Sequence, residues 1–192
     1  MLGSIERSLN LVGLLAITAV LIVALGDQIL FGELPCPLCI LQRVGFTLVG
    51  AGLMLNLVCG IRSSHYGIML LGAAVGGAIA LRQIALHVVP GSGSYGDAIF
   101  GYHYYSWAFF LFGLVVIGVA VMLFFDRQFG KAGGQRSRLA DIAVAAFAVV
   151  ALANGGSTLL ECGGGFCPDD PQTYQLLEGV GSGDQGASDR QL

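Results

Sequence analysis

Leu34-Pro35-Cys36-Pro37-Leu38-Cys39-Ile40-Leu41-Gln42-Arg43 joins two long apolar runs, and how it is read decides the fold. Its two cysteines are spaced C-x-x-C in a short loop that Pro35 and Pro37 are expected to keep out of helix. Cys39 falls where the second apolar run begins, which places it at a helix N-terminus. There the unpaired N–H groups and the helix dipole favour a thiolate over a thiol. Arg43 follows one helical turn later, on the same face, and adds positive charge near that sulfur. The pattern points to a redox site. A structural disulfide or half of a zinc site are the other uses of such a pair.

Working outward, the chain is too apolar for a soluble globule. Of its 192 residues 55% are hydrophobic and 11% charged, against about 25% charged in ordinary soluble domains. Thirty glycines suit closely packed membrane helices, in which small residues let backbones approach. The few basic residues are scattered, which gives no nucleic-acid footprint.

Before the cysteine loop, Leu9 to Phe31 is a nearly unbroken apolar run, interrupted by Asn10, Thr18, Asp27 and Gln28. As a helix it would span about 34 Å, enough to cross a bilayer. A cleavable signal peptide fits less well, because the start is poor in positive charge and no small-x-small site ends the run. After the loop the apolar runs are 40–59, 66–89, 106–125 and 140–160. The third contains Gly72-x-x-x-Gly76, a small-residue face for close packing, and its last turns carry Arg82, Gln83 and His87. Between the third and fourth runs lies a loop rich in aromatic residues, as expected where chain meets the bilayer interface.

These runs predict an all-α integral membrane protein: a bundle of five transmembrane helices over residues 1–160, followed by a tail, 161–192. The tail carries Cys162 and Cys167, then a short helical stretch over 172–179, and is expected to end disordered. With five alternating crossings, Arg7, Arg62, Arg127, Lys131, Arg136 and Arg138 fall on one side, six of the nine basic residues. The positive-inside rule puts that side and the N-terminus in the cytoplasm. Cys36, Cys39, Cys162 and Cys167 then share the outer face, where disulfides persist. Cys59 is expected at the cytoplasmic end as an inert buried thiol.

Cys162 and Cys167, with three glycines between them, form a second pair on a flexible segment. As a staple it closes so short a loop that little is gained. Beside a membrane-set C-x-x-C it suggests a thiol–disulfide relay. A four-cysteine zinc site is disfavoured by an oxidising compartment. Arg43, Arg82, Gln83 and His87 are polar groups within membrane helices, and such groups mark function or face the bundle interior. Their donors would suit a headgroup with two carbonyl oxygens, such as a quinone. For Arg82 the competing use is snorkelling to lipid headgroups, and Asp27 or Glu33 are available to pair with Arg43.

Pro35 to Arg43 resembles the signature of the disulfide bond formation protein B family. Similar features are Leu86-His87-x-x-Pro90, Tyr105-Ser106-Trp107 and Cys167-Pro168-Asp169-x-Pro171, so that the likeness runs over residues 9 to 178. The resemblance implies a membrane protein dithiol:quinone oxidoreductase of the bacterial inner membrane. Such an enzyme reoxidises a soluble, periplasmic, thioredoxin-like thiol oxidase and passes the electrons to ubiquinone or menaquinone. That chain of carriers is the established example of a periplasm kept oxidising kinetically. Carried onto this sequence, it implies catalytic roles for Cys36, Cys39, Cys162 and Cys167, quinone contacts from Arg43, Gln83 and His87, and no metal. One departure stands out. In the best-known members the second cysteine pair lies between helices three and four of a four-helix bundle, whereas here it follows a fifth. The rival functions are a scaffold with two structural disulfides and a quinone reductase resembling the vitamin K epoxide reductase group.

Overall fold

The computed structural model describes residues 2–88, 98–125, 128–129, 137–163, 165–167 and 171–177. Among them are five long helices: α1 (Leu2–Phe31), α2 (Pro37–Cys59), α3 (Ser63–His87), α4 (Tyr104–Leu123) and α5 (Arg138–Cys162). All five are long and apolar enough to cross a membrane, and the chain is an all-α integral membrane protein. Large apolar side chains such as Leu30, Leu71 and Leu152 stay exposed on the outside of the bundle. A helix apolar on every side is the form that lipid, not water, stabilises.

The helices begin earlier than the predicted runs, α3 and α4 end two residues before theirs, and local chemistry explains the early starts of α1, α2 and α5. α1 includes the polar start because Glu6 is buried and Arg7 donates to the Leu57 carbonyl oxygen (3.2 Å) at the end of α2. α2 begins at Pro37, not Ile40, which corrects the expectation that both prolines exclude helix. At the first helical position proline loses no hydrogen bond, and its fixed φ is already helical. α5 begins at Arg138 because the Ser137 hydroxyl accepts from the Ala140 N–H (3.2 Å).

The glycine face of α3 meets a matching one on α2. A Cβ on Gly72 would stand 2.8 Å from Leu48 Cβ and 2.9 Å from the Gly45 carbonyl oxygen, so nothing larger fits. On its other side α3 packs against α4, whose Phe112 ring lies over Gly76 and stacks on Phe46 (centroids 4.1 Å apart). α5 packs on α1 and α2, with Phe147 over Gly50. At the end of the bundle away from the paired cysteines, Asn56 ties three helices together. Its Nδ2 donates to Asn10 Oδ1 (2.8 Å), and its Oδ1 lies 2.9 Å from His65 Nδ1.

Two details differ from the sequence reading. Part of the aromatic loop is a hairpin, β1 (Ala98–Ile99) antiparallel to β2 (Tyr102–His103). Its Phe100-Gly101 turn has both φ angles positive, 52° and 82°, the conformation that matches strand twist in a two-residue hairpin. Cys59 is exposed on the last turn of α2, not buried. Arg82 is exposed on the outside of α3, as snorkelling requires. Pro90, Tyr95, Arg127, Lys131, Arg136, Pro168, Asp169, Asp170 and residues 178–192, with the disorder expected there, lie outside the described residues.

Candidate functional site

The loop after α1 is built to present sulfur at a helix end. Gly32 (φ +70°) breaks α1, and the chain runs extended to Cys36, the N-cap of α2. Cys36 Sγ accepts from the Cys39 N–H (3.2 Å). The two cysteines are joined as a disulfide with Cα atoms 5.0 Å apart. Cys36 is buried, 4% exposed, while Cys39 is half-buried. Both sulfurs therefore sit at the positive end of α2, which stabilises negative charge developing on them.

Behind the disulfide stands Gln83 of α3, completely buried. Its Nε2 donates to Cys36 Sγ (3.3 Å) and Cys39 Sγ (3.4 Å), and its Oε1 accepts from Gln42 Nε2 (2.6 Å). Gln42, on α2, thereby fixes which end of the Gln83 amide faces sulfur. Substituting Gln83→Leu should remove donors that favour the reduced, anionic form of the pair. We expect the midpoint potential to fall by about 30 mV or more, since a hydrogen bond to a charged group contributes about 1.5 kcal/mol or above. Redox titration in dithiothreitol buffers with gel-shift readout checks this, and an unchanged potential would make the contact merely structural.

Arg43 lies one turn below Cys39. Its Nη1 donates to Gln28 Oε1 (2.8 Å) and Asn154 Oδ1 (3.5 Å), and its Nη2 donates to the Ala24 carbonyl oxygen (2.8 Å). All three acceptors are neutral, not the carboxylates of Asp27 or Glu33. Three of its five N–H groups are thus engaged by α1 and α5. Glu161 of α5 is fully buried, neither of its oxygens has a hydrogen-bond partner among the described residues, and it is near enough to Arg43 for their charges to interact.

The second cysteine pair follows α5 at the same end of the bundle. α5 ends at Cys162, and Gly163 caps it in the left-handed conformation (φ 60°), its N–H bonded to the Leu159 carbonyl oxygen. Cys162 and Cys167 are disulfide-bonded with Cα atoms 4.5 Å apart. Cys162 is 5% exposed, and Cys167 is the more open. The chain then folds back so that Pro171 is buried and Tyr174 reaches α1, where its hydroxyl accepts from Gln28 Nε2 (3.2 Å).

Between α1, α2, α4 and the hairpin lies a cleft of about 900 Å³. Its polar end is Cys36, Cys39, Gln42 and Arg43, and Asp27 and Glu33 border it. Ile99, Phe100, Trp107 and Leu111 give it an apolar wall, and Pro171 and Gln172 of the tail also line it. A second, smaller apolar cavity of about 440 Å³ shares Val20 and Leu111 with it. The two form one furrow between α1 and α4, because α4 packs chiefly on α3.

Of the residues expected to hold an acceptor, Arg43 alone borders the cleft. Gln83 serves the disulfide from behind. His87 Nδ1 donates to the Gln83 carbonyl oxygen (2.8 Å), and its ring stacks on Tyr105 (5.5 Å). Sequence reasoning missed Gln28, Gln42, Asn154, Glu161 and Tyr174. Gln28, Gln42 and Asn154 carried a usable signal, each a polar residue within an apolar run, whereas Glu161 fell at the start of the expected tail.

A C-x-x-C disulfide capping a membrane helix, with Arg one turn below it, is a combination that comparison with known families can test. The model of the family described as Disulfide bond formation protein DsbB matches residues 6–95. Over those residues, a little under half of its length, the chain is similar to that family. The match holds α1 to α3 with Cys36, Cys39, Arg43, Gln83 and His87, and stops short of α4, α5 and the tail, where the sequence likeness had been carried to residue 178. Similar curated relatives are all named Disulfide bond formation protein B. The one from Chromobacterium violaceum is 40% identical over 74 residues, 35% of this chain and 43% of the relative. That from Xylella fastidiosa strain 9a5c is 36% identical over 92 residues, 44% of this chain and 51% of the relative. The Azoarcus relative is 43% identical over 61 residues, 29% and 36% of the two chains. The chain spans about half the length of the curated relatives it matches. No solved structure matches it.

Proposed function

We propose that this chain is a protein dithiol:quinone oxidoreductase that generates disulfides. It takes electrons from a periplasmic thioredoxin-like thiol oxidase at Cys162–Cys167, moves them to Cys36–Cys39, and passes them to ubiquinone or menaquinone. The observation that carries this reading is that the Cys36–Cys39 disulfide and Arg43 both border one cleft that has an apolar wall. The donor set fits the acceptor: Arg43 has two N–H groups to spare for a carbonyl oxygen, and the furrow beyond has room for an apolar tail. A quinone supplies a lipid-soluble acceptor for two electrons and two protons.

The chain's own groups then divide the work. The N-terminus of α2 and the Gln83 amide stabilise charge on the Cys36 and Cys39 sulfurs while they are reduced. Arg43 orients the acceptor one turn from Cys39. The apolar walls exclude water from the reacting sulfur. Closing the loop disulfide again releases two electrons and two protons to the acceptor. At the tail, Cys167 is the more open sulfur and is the one we expect a partner's thiolate to attack.

For orientation, Arg7, Arg62 and Arg138 lie at the bundle end opposite the cysteine pairs, and the positive-inside rule puts that end in the cytoplasm of a bacterial inner membrane. In intact spheroplasts after reduction, a membrane-impermeant thiol reagent should then label Cys39 and Cys167 but spare Cys59. Labelling of Cys59 from outside would invert the assignment.

The functional test is direct. The full chain extracted from membranes should carry bound quinone. Mild dithiothreitol should reduce both pairs, and added quinone should close them again. Disulfides that resist mild reduction, or that stay open with quinone present, would leave the scaffold reading standing.

A further inference from the structure

We infer that Gln28 couples the seating of the cysteine-bearing tail to the grip of Arg43 on the cleft, so that a displaced tail loosens the acceptor site. The inference rests on the proposed role of Arg43 in acceptor binding.

Gln28 lies in the last turn of α1 and is 2% exposed. Its side-chain amide is shared among three parts of the molecule. Oε1 accepts from Arg43 Nη1 on α2 (2.8 Å), and Nε2 donates to Ser157 Oγ on α5 (2.8 Å) and to the Tyr174 hydroxyl in the tail (3.2 Å). The orientation is not arbitrary. Arg43 can only donate, so the amide oxygen must face it, which turns both amide hydrogens toward the two hydroxyls. One rigid, planar group therefore carries the tail's position to the guanidinium.

When the tail is seated, all three bonds are made. If a partner engaging Cys167 draws Tyr174 away, a buried N–H loses its acceptor and the amide loses one of its three anchors. Oε1 is then no longer fixed in place on Arg43, and the guanidinium is held firmly only by the Ala24 carbonyl and Asn154. Acceptor binding then weakens while the tail is occupied and recovers when it reseats. Gln28 and Tyr174 are positioning residues here, since they touch neither sulfur nor, by this geometry, the acceptor.

The test uses the full chain in liposomes, with dithiothreitol as reductant and a short-chain ubiquinone as probe, so that tail exchange chemistry is not required. Tyr174→Phe removes one hydroxyl from a partly exposed residue. It should raise the KM for quinone about 3- to 10-fold, the scale of one neutral hydrogen bond, with kcat nearly unchanged. Gln28→Leu should raise it at least as far, and Tyr174→Phe should add nothing on that background. Such non-additivity is what a shared path produces and what two independent packing defects do not. If Gln28→Leu does not insert, Gln28→Glu takes its place in the cycle, keeping an oxygen for Arg43 while losing both donors. An unchanged KM in Tyr174→Phe, or additive effects, would overturn the coupling. Arg43→Leu is run alongside: if it too leaves KM unchanged, the acceptor reading itself fails, and if it alone raises KM, only the coupling does.

Discussion

A chain carrying Cys162→Ser and Cys167→Ser is expected to lose turnover with a protein dithiol, while quinone-dependent oxidation of dithiothreitol by Cys36 and Cys39 largely persists. The reason is access. Cys36 is 4% exposed, and the cleft in front of the loop disulfide is bordered by Pro171 and Gln172 of the tail. A folded protein approaches the recessed Cys36 and the half-buried Cys39 poorly, whereas a small thiol fits a cleft of about 900 Å³. The loss with a protein substrate should be roughly 100-fold or more, since even about 1 Å of misplacement between reacting atoms costs that much. The double substitution also removes a short cross-link, worth about 2 kcal/mol in the chain-entropy account. The tail keeps its other anchors, the buried Pro171 and the bond between Tyr174 and Gln28. Side-by-side rates with a reduced thioredoxin-like protein and with dithiothreitol decide the matter. Equal retention of both activities would make the tail pair a staple.

Arg43→Leu should raise the KM for quinone by about 10- to 150-fold, the equivalent of losing one charge-assisted hydrogen bond of about 1.5–3 kcal/mol. Arg43→Lys should fall between, since it keeps the charge and loses the planar fork that reaches several oxygens at once. Leucine is welcome in lipid, yet the fold will not ignore the change. Arg43 holds Ala24 and Gln28 of α1 and Asn154 of α5, and the side-chain oxygens of Gln28 and Asn154 would be left unpaired. KM must therefore be compared in protein shown to be inserted, with its loop disulfide formed. A correctly inserted Arg43→Leu chain with normal quinone KM would exclude the cleft as the acceptor site.

The architecture was legible because it depends on quantities a sequence carries directly. Uninterrupted apolar length predicted five crossings, and the Gly72-x-x-x-Gly76 spacing marked a contact face that α2 does fill. The arrangement of Cys36, Cys39 and Arg43 was legible because it is local, written within eight residues of one helix start. What was hidden is the direction in which isolated polar residues point. In helices that are apolar all round, no moment distinguishes one face from another, so the depth of Gln83 and His87 was apparent but not their facing. Packing turned Gln83 onto the disulfide and His87 onto Tyr105. Tyr174 was out of reach for a different reason. Its contact with Gln28 depends on the chain reversing after Gly163, across 146 positions of sequence.

On the proposed function, the furrow between α1 and α4 changes what concentration means for this protein. An acceptor that enters sideways, through a slit lined by Val20 and Leu111, arrives by diffusion in two dimensions and never crosses the aqueous phase. Its supply is then set by its mole fraction among the lipids. Enlarging the bilayer or adding empty micelles at constant total quinone should slow turnover by dilution alone, with no change in the protein.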